Sequence, residues 1–378
     1  MGTQIRIGLC LVILLCITQL NEIKAHVHKD APASISQALF NPSQQYQLLQ
    51  KELNRYSDIK EKGGWPTIRA PKKYYMKGQK DPAIKNIKAR LRATGEFNSE
   101  DSSSVYTDEL VAAVQKIQKR YGYEQTGVVD KHLAKLLNVP VDVRINQLLV
   151  NMDRFLNSKP VSEGTRLVAN IPEFRLHVYE GTQHIFDMAI VVGSVSNKTV
   201  IFDDELTHVV FSPYWNVPQS IVRNEILPKM RSSSTYLRRN GYEKTGTENG
   251  LPVIRQKPGP GNSLGLVKFV FPNNHNIYFH DTPQKSLFEF PKRTFSHGCI
   301  RLEEPAKLAE YLLRNDPDWN ATKIRSAMNA GQEQWVKLDV PVAVSLTYYT
   351  AWVDNEGVLN FRQDVYGLDK ERKAYVMK

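Results

Sequence analysis

Residues 276–302 read NIYFHDTPQKSLFEFPKRTFSHGCIRL. At their start the side chains alternate. Ile277 and Phe279 fall on one side of an extended strand, and Tyr278 and His280 fall on the other. His280 stands where the strand gives way to Asp281, Thr282 and Pro283, and Cys299 follows 19 residues later. A loop of that length can return and bring the two side chains together. Segments of the same type recur on both sides: RLVANIP, FRLHVYEG, HIFDMAIVVG and THVVFSP upstream of VKFVFPN. All are short, rich in Val, Ile, Phe and Tyr, and bounded by Gly, Pro, Asn or Asp. This punctuation predicts a mainly antiparallel β unit beginning near Arg166. Between VPQSIVRNEILPKM and VKFVF lies a polar, Gly/Pro-rich stretch, at about residues 222–265, that reads as a long mobile insertion of the kind that forms lids. Beyond the cysteine, EEPAKLAEYLLRND and ATKIRSAMNAG read as helices, and a hairpin turns at Asn355, Glu356 and Gly357.

Upstream of the β unit the periodicity changes to that of helices. In SQQYQLLQKELNRYSDIKEKGGWP, Tyr46, Leu48, Leu49, Leu53 and Tyr56 recur at helical spacing, and Gly63, Gly64 and Pro66 end the run. Three short helices follow. The first, in DPAIKNIKARLRATGEF, carries the stripe Ile84, Ile87 and Leu91; the second, in TDELVAAVQKIQKRYG, starts after Thr107 and stops at Gly122; the third is DKHLAKLLN. A helical connector, VDVRINQLLVNMDRFL, leads into the first strand. The expected divisions are an N-terminal helical segment at 26–78, a three-helix unit at 79–140, the connector at 141–164, and an α+β unit at 165–378 whose main sheet is antiparallel.

The N-terminus, MGTQIRIGLCLVILLCITQL, sets Arg6 before an apolar run from Ile7 to Ile17, too short to span a bilayer. It reads as a secretory signal at 1–25, cleaved after Ala25. An exported protein without stable membrane insertion is therefore expected. The chain has three cysteines, and removal of Cys10 and Cys16 would leave Cys299 as the sole thiol, so no internal disulfide is expected. The formal net charge of +11 is spread along the chain without the tight basic runs and interleaved aromatics of a nucleic-acid binder. It suits an anionic matrix outside the cytoplasm.

A lone cysteine is often a small buried hydrophobe. Here Ser296, His297 and Gly298 precede it, where a core strand would offer Val or Leu. A thiol works as a nucleophile through its thiolate, and an imidazole is the usual means of making one. His280 is the candidate base. His297 is too close along the chain to meet the sulfur without a sharp turn, so its expected task is to shape the loop with Gly298 so that backbone N–H groups face a developing oxyanion. Arg301 could hold a substrate carboxylate. His275, His280, His297 and Cys299 are also possible zinc ligands, but no Cys-x-x-Cys or His-Glu-x-x-His accompanies them, and neither metal nor cofactor is expected.

YFHDTP followed by FSHGCIRL resembles the signature of the L,D-transpeptidase (YkuD-type) family: His-x-Thr, a variable loop, then Ser-His-Gly-Cys-Ile/Val-Arg. LRATG, AVQKIQKRYG and TGVVD resemble the peptidoglycan-binding helical domain often joined to cell-wall enzymes, although Ile117 stands where that family usually has an aromatic. FSPYWNVPQSIV and the long insertion are most similar to the large YcbB-like periplasmic members. Asp281 departs from the glycine of many smaller members. The resemblance implies an L,D-transpeptidase fold, Cys299 as nucleophile, His280 as general base and a backbone carbonyl orienting the imidazole. It further implies peptidoglycan stem peptides and glycan as partners, a 3→3 cross-link as product, inhibition by carbapenems, a periplasmic location and a monomer. Ser296, Arg301, Tyr278 and Trp215 are expected to line the substrate cleft. Water in place of the acceptor amine would give a carboxypeptidase or cross-link hydrolase, and the helical unit alone would give a non-catalytic wall-binding protein.

Overall fold

The structure, a computed structural model, describes residues 41–71, 73–161 and 163–376. The expected signal segment lies outside the described residues. Among them, no helix is long and apolar enough to cross a membrane.

The helical half comes first. Helix α1, Pro42–Glu61, is capped by the Asn41 side chain, which accepts from the Gln44 N–H. Helices α2 (Ala83–Ala93), α3 (Asp108–Tyr121) and α4 (Lys131–Leu137) follow, then α5 (Val141–Leu156). Helix α3 stops where the sequence predicts, at Gly122, which takes the left-handed conformation with φ 74°. Two short strands, β1 (Tyr74–Tyr75) and β2 (Val129–Asp130), pair across the bundle. Apolar stripes such as Ile84, Ile87 and Leu91, and Leu110, Val114 and Ile117, meet in one core.

The strands of the second half are β3 (Thr165–Asn170), β4 (Arg175–Glu180), β5 (Gln183–Gly193), β6 (Phe202–Phe211), β10 (Val267–Val270), β11 (Phe279–His280), β12 (Thr294–Ser296), β13 (Ile300–Leu302) and β14 (Gln334–Thr347). They form a nine-stranded sheet in the order β12-β5-β13-β11-β10-β6-β14-β3-β4. Because β4 pairs with β5 as well as with β3, the sheet curls back on itself. The pairings are antiparallel apart from β11–β13, β5–β12 and β3–β14. Alternate residues of each strand, among them Leu176 and Val178, Ile190 and Val192, Val267 and Phe269, share a second core with helices α8 (Pro305–Leu312) and α9 (Ala321–Met328).

Two features differ from the sequence reading. The insertion is built of regular elements. β7 (Trp215–Asn216), β8 (Tyr242–Glu248) and β9 (Leu251–Gln256) make a three-stranded sheet. Against it packs helix α6, formed by the consecutive turns Gln219–Ile221, Val222–Ile226 and Leu227–Ser232, followed by α7 (Tyr236–Arg239). Val217, Ile221, Val222, Ile226 and Ile254 give this unit a small core of its own, a pattern that its Ser, Gly and Pro content obscures. The middle turn of α6 is a π-turn, and Pro228 follows it. Proline lacks an N–H and its ring crowds the carbonyl four residues back, so the ordinary ladder is interrupted there.

The second difference lies at the hairpin of β15 (Ala351–Val353) and β16 (Leu359–Phe361). In sequence it belongs to the 165–378 unit, yet Tyr349, Trp352, Leu359 and Phe361 complete the helical core. Gln45 Nε2 donates to the Val353 carbonyl (2.6 Å), the Val353 N–H donates to Gln45 Oε1 (2.9 Å), and Arg120 Nε donates to the Leu359 carbonyl (2.6 Å). Helix α10 (Leu368–Val376) then closes against α5 through the Arg154–Asp369 ion pair (2.6 Å).

Candidate active site

Strands β11 and β13 lie parallel, with Phe279 opposite Ile300 and His280 opposite Arg301. Phe279 and Ile300 are fully buried in the sheet core. The period of two therefore sends Tyr278, His280, Cys299 and Arg301 to the other face as two adjacent pairs. His280 is buried there, 4% exposed, and Cys299 is half-buried.

The imidazole is fixed by backbone. His280 Nδ1 lies 2.5 Å from the Asp281 carbonyl oxygen, and the Leu264 carbonyl is a second hydrogen-bonding neighbour. A carbonyl can only accept, so Nδ1 carries the proton and Nε2 keeps its lone pair. Burial, with the nearby Arg301 charge, pushes the His280 pKa down to about 3. The ring is neutral throughout the ordinary range of pH.

Burial also pushes the Cys299 thiol up, only partly offset by hydrogen bonds from Tyr278 and by the Arg301 charge. Its Sγ lies 3.5 Å from the Asn276 carbonyl. Tyr278 is held well above the usual phenol range by burial and then by Cys299, with Trp215 as a neighbour that acts in the opposite direction. Tyr278 thus neighbours both the sulfur and Trp215 of β7.

The loop before Cys299 is held by hydroxyls. Ser296 Oγ donates to the Cys299 carbonyl (2.5 Å) and accepts from the Gly298 N–H (3.1 Å). Thr199 Oγ1 donates to the Gly298 carbonyl (2.8 Å) and accepts from the Gly193 N–H (2.9 Å). Tyr366 completes the chain by donating to the Gly193 carbonyl (2.6 Å) and accepting from the Thr199 N–H (3.3 Å). Gly298 has φ 123°, a backbone conformation that side chains with a Cβ rarely adopt. Its N–H is already donated, so the amide available to a developing oxyanion is that of Cys299, which has no hydrogen-bond acceptor among the described residues.

His297 does not turn into the loop. Its Nε2 reaches 2.7 Å to Glu225 Oε1 on the π-turn of α6, and both side chains are about half exposed. The loop-shaping expected of it is carried by Ser296 and Thr199. Arg301 donates to Gln284 Oε1 (2.7 Å), while its Nε is buried without a hydrogen-bond partner among the described residues. Asp281 accepts from the Leu266 N–H (2.9 Å) and pairs with Lys285 (2.9 Å). A Cβ at Gly265, φ 64°, would run into that carboxylate. Asp281 therefore fixes the end of the insertion beside the Leu264 carbonyl that faces His280. The four residues weighed as zinc ligands do not converge: His275 lies against Phe202 with the rings tilted (centroids 5.1 Å apart), His297 is on Glu225, and His280 is held by carbonyls.

Thr199, Glu225, Gln284, Leu264 and Tyr366 are absent from the sequence reading. Leu264 and Gln284 lie 16 and 17 positions from His280 and Arg301, Glu225 lies 72 from His297, Thr199 lies 99 from Gly298 and Tyr366 lies 173 from Gly193, and none stands in a local motif. Only the fold brings them in.

Residues 164–324 match the family model described as "L,D-transpeptidase catalytic domain", and residues 80–137 match that of the "Putative peptidoglycan binding domain". A curated relative from Haemophilus influenzae named "Putative L,D-transpeptidase" is 29% identical, in an alignment covering 54% of this chain and 45% of the relative. The chain thus spans about half the length of that relative. Among solved structures, an L,D-transpeptidase from Xylanimonas cellulosilytica is 15% identical, covering 74% of this chain and 99% of the other, with TM-score 0.25. L,D-transpeptidase 3 from Mycobacterium tuberculosis is 13% identical, covering 48% and 61%, with TM-score 0.26.

Proposed function

Because the chain carries an L,D-transpeptidase catalytic domain behind a peptidoglycan-binding domain, we propose that it cross-links peptidoglycan stems with Cys299 as nucleophile and His280 as general base. The observation that carries this reading is the lone pair left on His280 Nε2 by the Asp281 carbonyl, on a ring adjacent to Cys299 on one sheet face. Both partners rest neutral, so the proton moves from Sγ to Nε2 as sulfur attacks, and no standing ion pair is needed. The attacked carbonyl is that of the third residue of a tetrapeptide stem. Its oxygen, as it gains charge, faces the Cys299 N–H. Collapse of the tetrahedral intermediate breaks the bond to the terminal D-Ala, whose nitrogen leaves with the proton from His280, and a thioester remains on Cys299.

In the second half, the side-chain amine of a neighbouring stem attacks the thioester. His280 takes the amine proton and returns it to sulfur, which leaves a 3→3 cross-link and the free thiol. Arg301, with a buried Nε that has no hydrogen-bond partner among the described residues, suits a stem carboxylate. Tyr278 and Trp215 wall the cleft on the side of the insertion, which would keep water from the thioester. Acylation of the same thiol by a carbapenem follows from the same attack on a carbonyl. The substrate implies an exported protein of the bacterial envelope, with the periplasm as the favoured place.

Mass spectrometry after incubation with a disaccharide-tetrapeptide tests the reading. Cross-linked dimers with one D-Ala lost, absent for Cys299→Ala, are expected. Tripeptide alone would make water the acceptor, and an unreacted substrate with an unreactive thiol would sink the proposal.

A further inference from the structure

Far along the sheet from Cys299, the hairpin of β4 and β5 carries a second concentration of chemistry. His177 and Asp187 are opposite one another across the two strands, and Tyr179 is opposite His184. The register shifts between Val178 and Tyr179. The shift matters because residues 184 and 187 would otherwise lie on opposite faces of β5. The extra residue of the bulge turns His184 onto the face of Asp187 and His177. One ligating atom from each of the three lies within 4.8 Å of the others. The two rings are 5.7 Å apart between centroids.

Their surroundings are those of a built site. Asp187 Oδ1 is occupied by Arg175 (Nε at 2.7 Å), which leaves Oδ2 turned to His184 Nε2 at 3.7 Å, beyond hydrogen-bond length. That Nε2 is buried and has no hydrogen-bond partner among the described residues. Glu173 Oε2 stands 3.1 Å from His177 Nε2. A carboxylate on one ring nitrogen is what orients a histidine that ligates through the other. Arg362 in turn steadies Glu173 from 3.8 Å.

We propose that His177, His184 and Asp187 bind a divalent first-row transition ion of Zn2+ type, with Glu173 orienting His177. Two imidazoles and a carboxylate suit such an ion better than Ca2+ or Mg2+, which favour oxygen donors. Ligand bonds of about 2.0–2.1 Å need donor separations of about 3.3 Å, which side-chain rotation on the hairpin can supply. His184 and Asp187 remain about a quarter exposed, so the fourth position faces water. Asp187 is six residues before Gly193 on the same strand, about 20 Å at the rise of an extended chain, so this site is separate from the cysteine. The inference does not depend on the activity proposed above.

The test uses the full chain with Cys299→Ala, so that the thiol cannot bind the probe. Calorimetric titration with Zn2+, and the visible absorption of bound Co2+, should report one ion per chain together with a rise in melting temperature. His184→Ala and Asp187→Asn, each checked for folding by circular dichroism, should weaken Zn2+ about 10- to 100-fold and remove the Co2+ band. Glu225→Ala, at the other cluster with an exposed histidine, should leave both unchanged. Absence of binding to the Cys299→Ala chain, or binding indifferent to His184→Ala, would overturn the proposal.

Discussion

At the scale of the residue, Cys299 keeps its proton until a base takes it. Its raised thiol pKa and the depressed imidazole of His280 set opposite expectations for two measurements. Alkylation by iodoacetamide needs thiolate, so its rate should climb with pH through neutrality and level off only above the ordinary thiol value of about 8.5. Under the proposed mechanism, acylation by a carbapenem would use the neutral pair, present above about pH 3 and below the thiol pKa, and should be nearly flat from about pH 5 to 8. An acylation rate that rises tenfold per pH unit across that range would mean that a preformed thiolate is the reactant. His280→Gln should lower acylation about 10²–10⁴-fold with little change in melting temperature. Gly298→Ala forces a Cβ onto φ 123° and should cost about 1–3 kcal/mol in denaturant unfolding, with acylation lost as the Cys299 amide shifts. The pair Tyr278 and His280 was legible in the sequence because strand alternation is local. The hydroxyl relay through Thr199 and Tyr366 was not, since it joins residues about 100 and 170 positions apart that share no motif.

Among the elements, α6 and its π-turn meet the cysteine loop through Glu225 and His297, and Trp215 meets it through Tyr278. A half-exposed ion pair contributes little stability, in the order of 0–1 kcal/mol. Glu225→Ala should therefore leave the melting temperature within about one degree, while loosening the insertion over the thioester. Expected is a higher ratio of hydrolysed tripeptide to cross-linked dimer, read by mass spectrometry; an unchanged ratio would show that the contact has no part in excluding water. The end of α3 at Gly122 could be read from a single residue because a left-handed C-cap is local chemistry, whereas Thr107 precedes the helix without a side-chain capping bond. The insertion resisted such reading. Its small core draws on Val217, Val222 and Ile254, spread through a polar stretch whose overall composition points to loop.

For the molecule as a whole, the hairpin of β15 and β16 ties the two cores together. Trp352 and Phe361 are about 2% and 1% exposed and pack among the helices of the first half. Trp352→Ala should cost about 3–5 kcal/mol. Limited proteolysis should then cut the helical segment, residues 42–156, before the sheet. A fragment ending at residue 160 should expose apolar surface and bind a hydrophobic dye, whereas a fold-competent fragment would show the hairpin to be dispensable. Sequence order alone placed the hairpin with the strands it follows, because nothing in TYYTAWVDNEG marks which core its aromatics enter.

That hairpin also sets a schedule for synthesis. Domains made first ordinarily fold first as the chain emerges. Here the contacts of Gln45 with Val353 and of Arg120 with Leu359 need residues made 308 and 239 positions later, so the core of the opening helices is completed only once the hairpin has been synthesised.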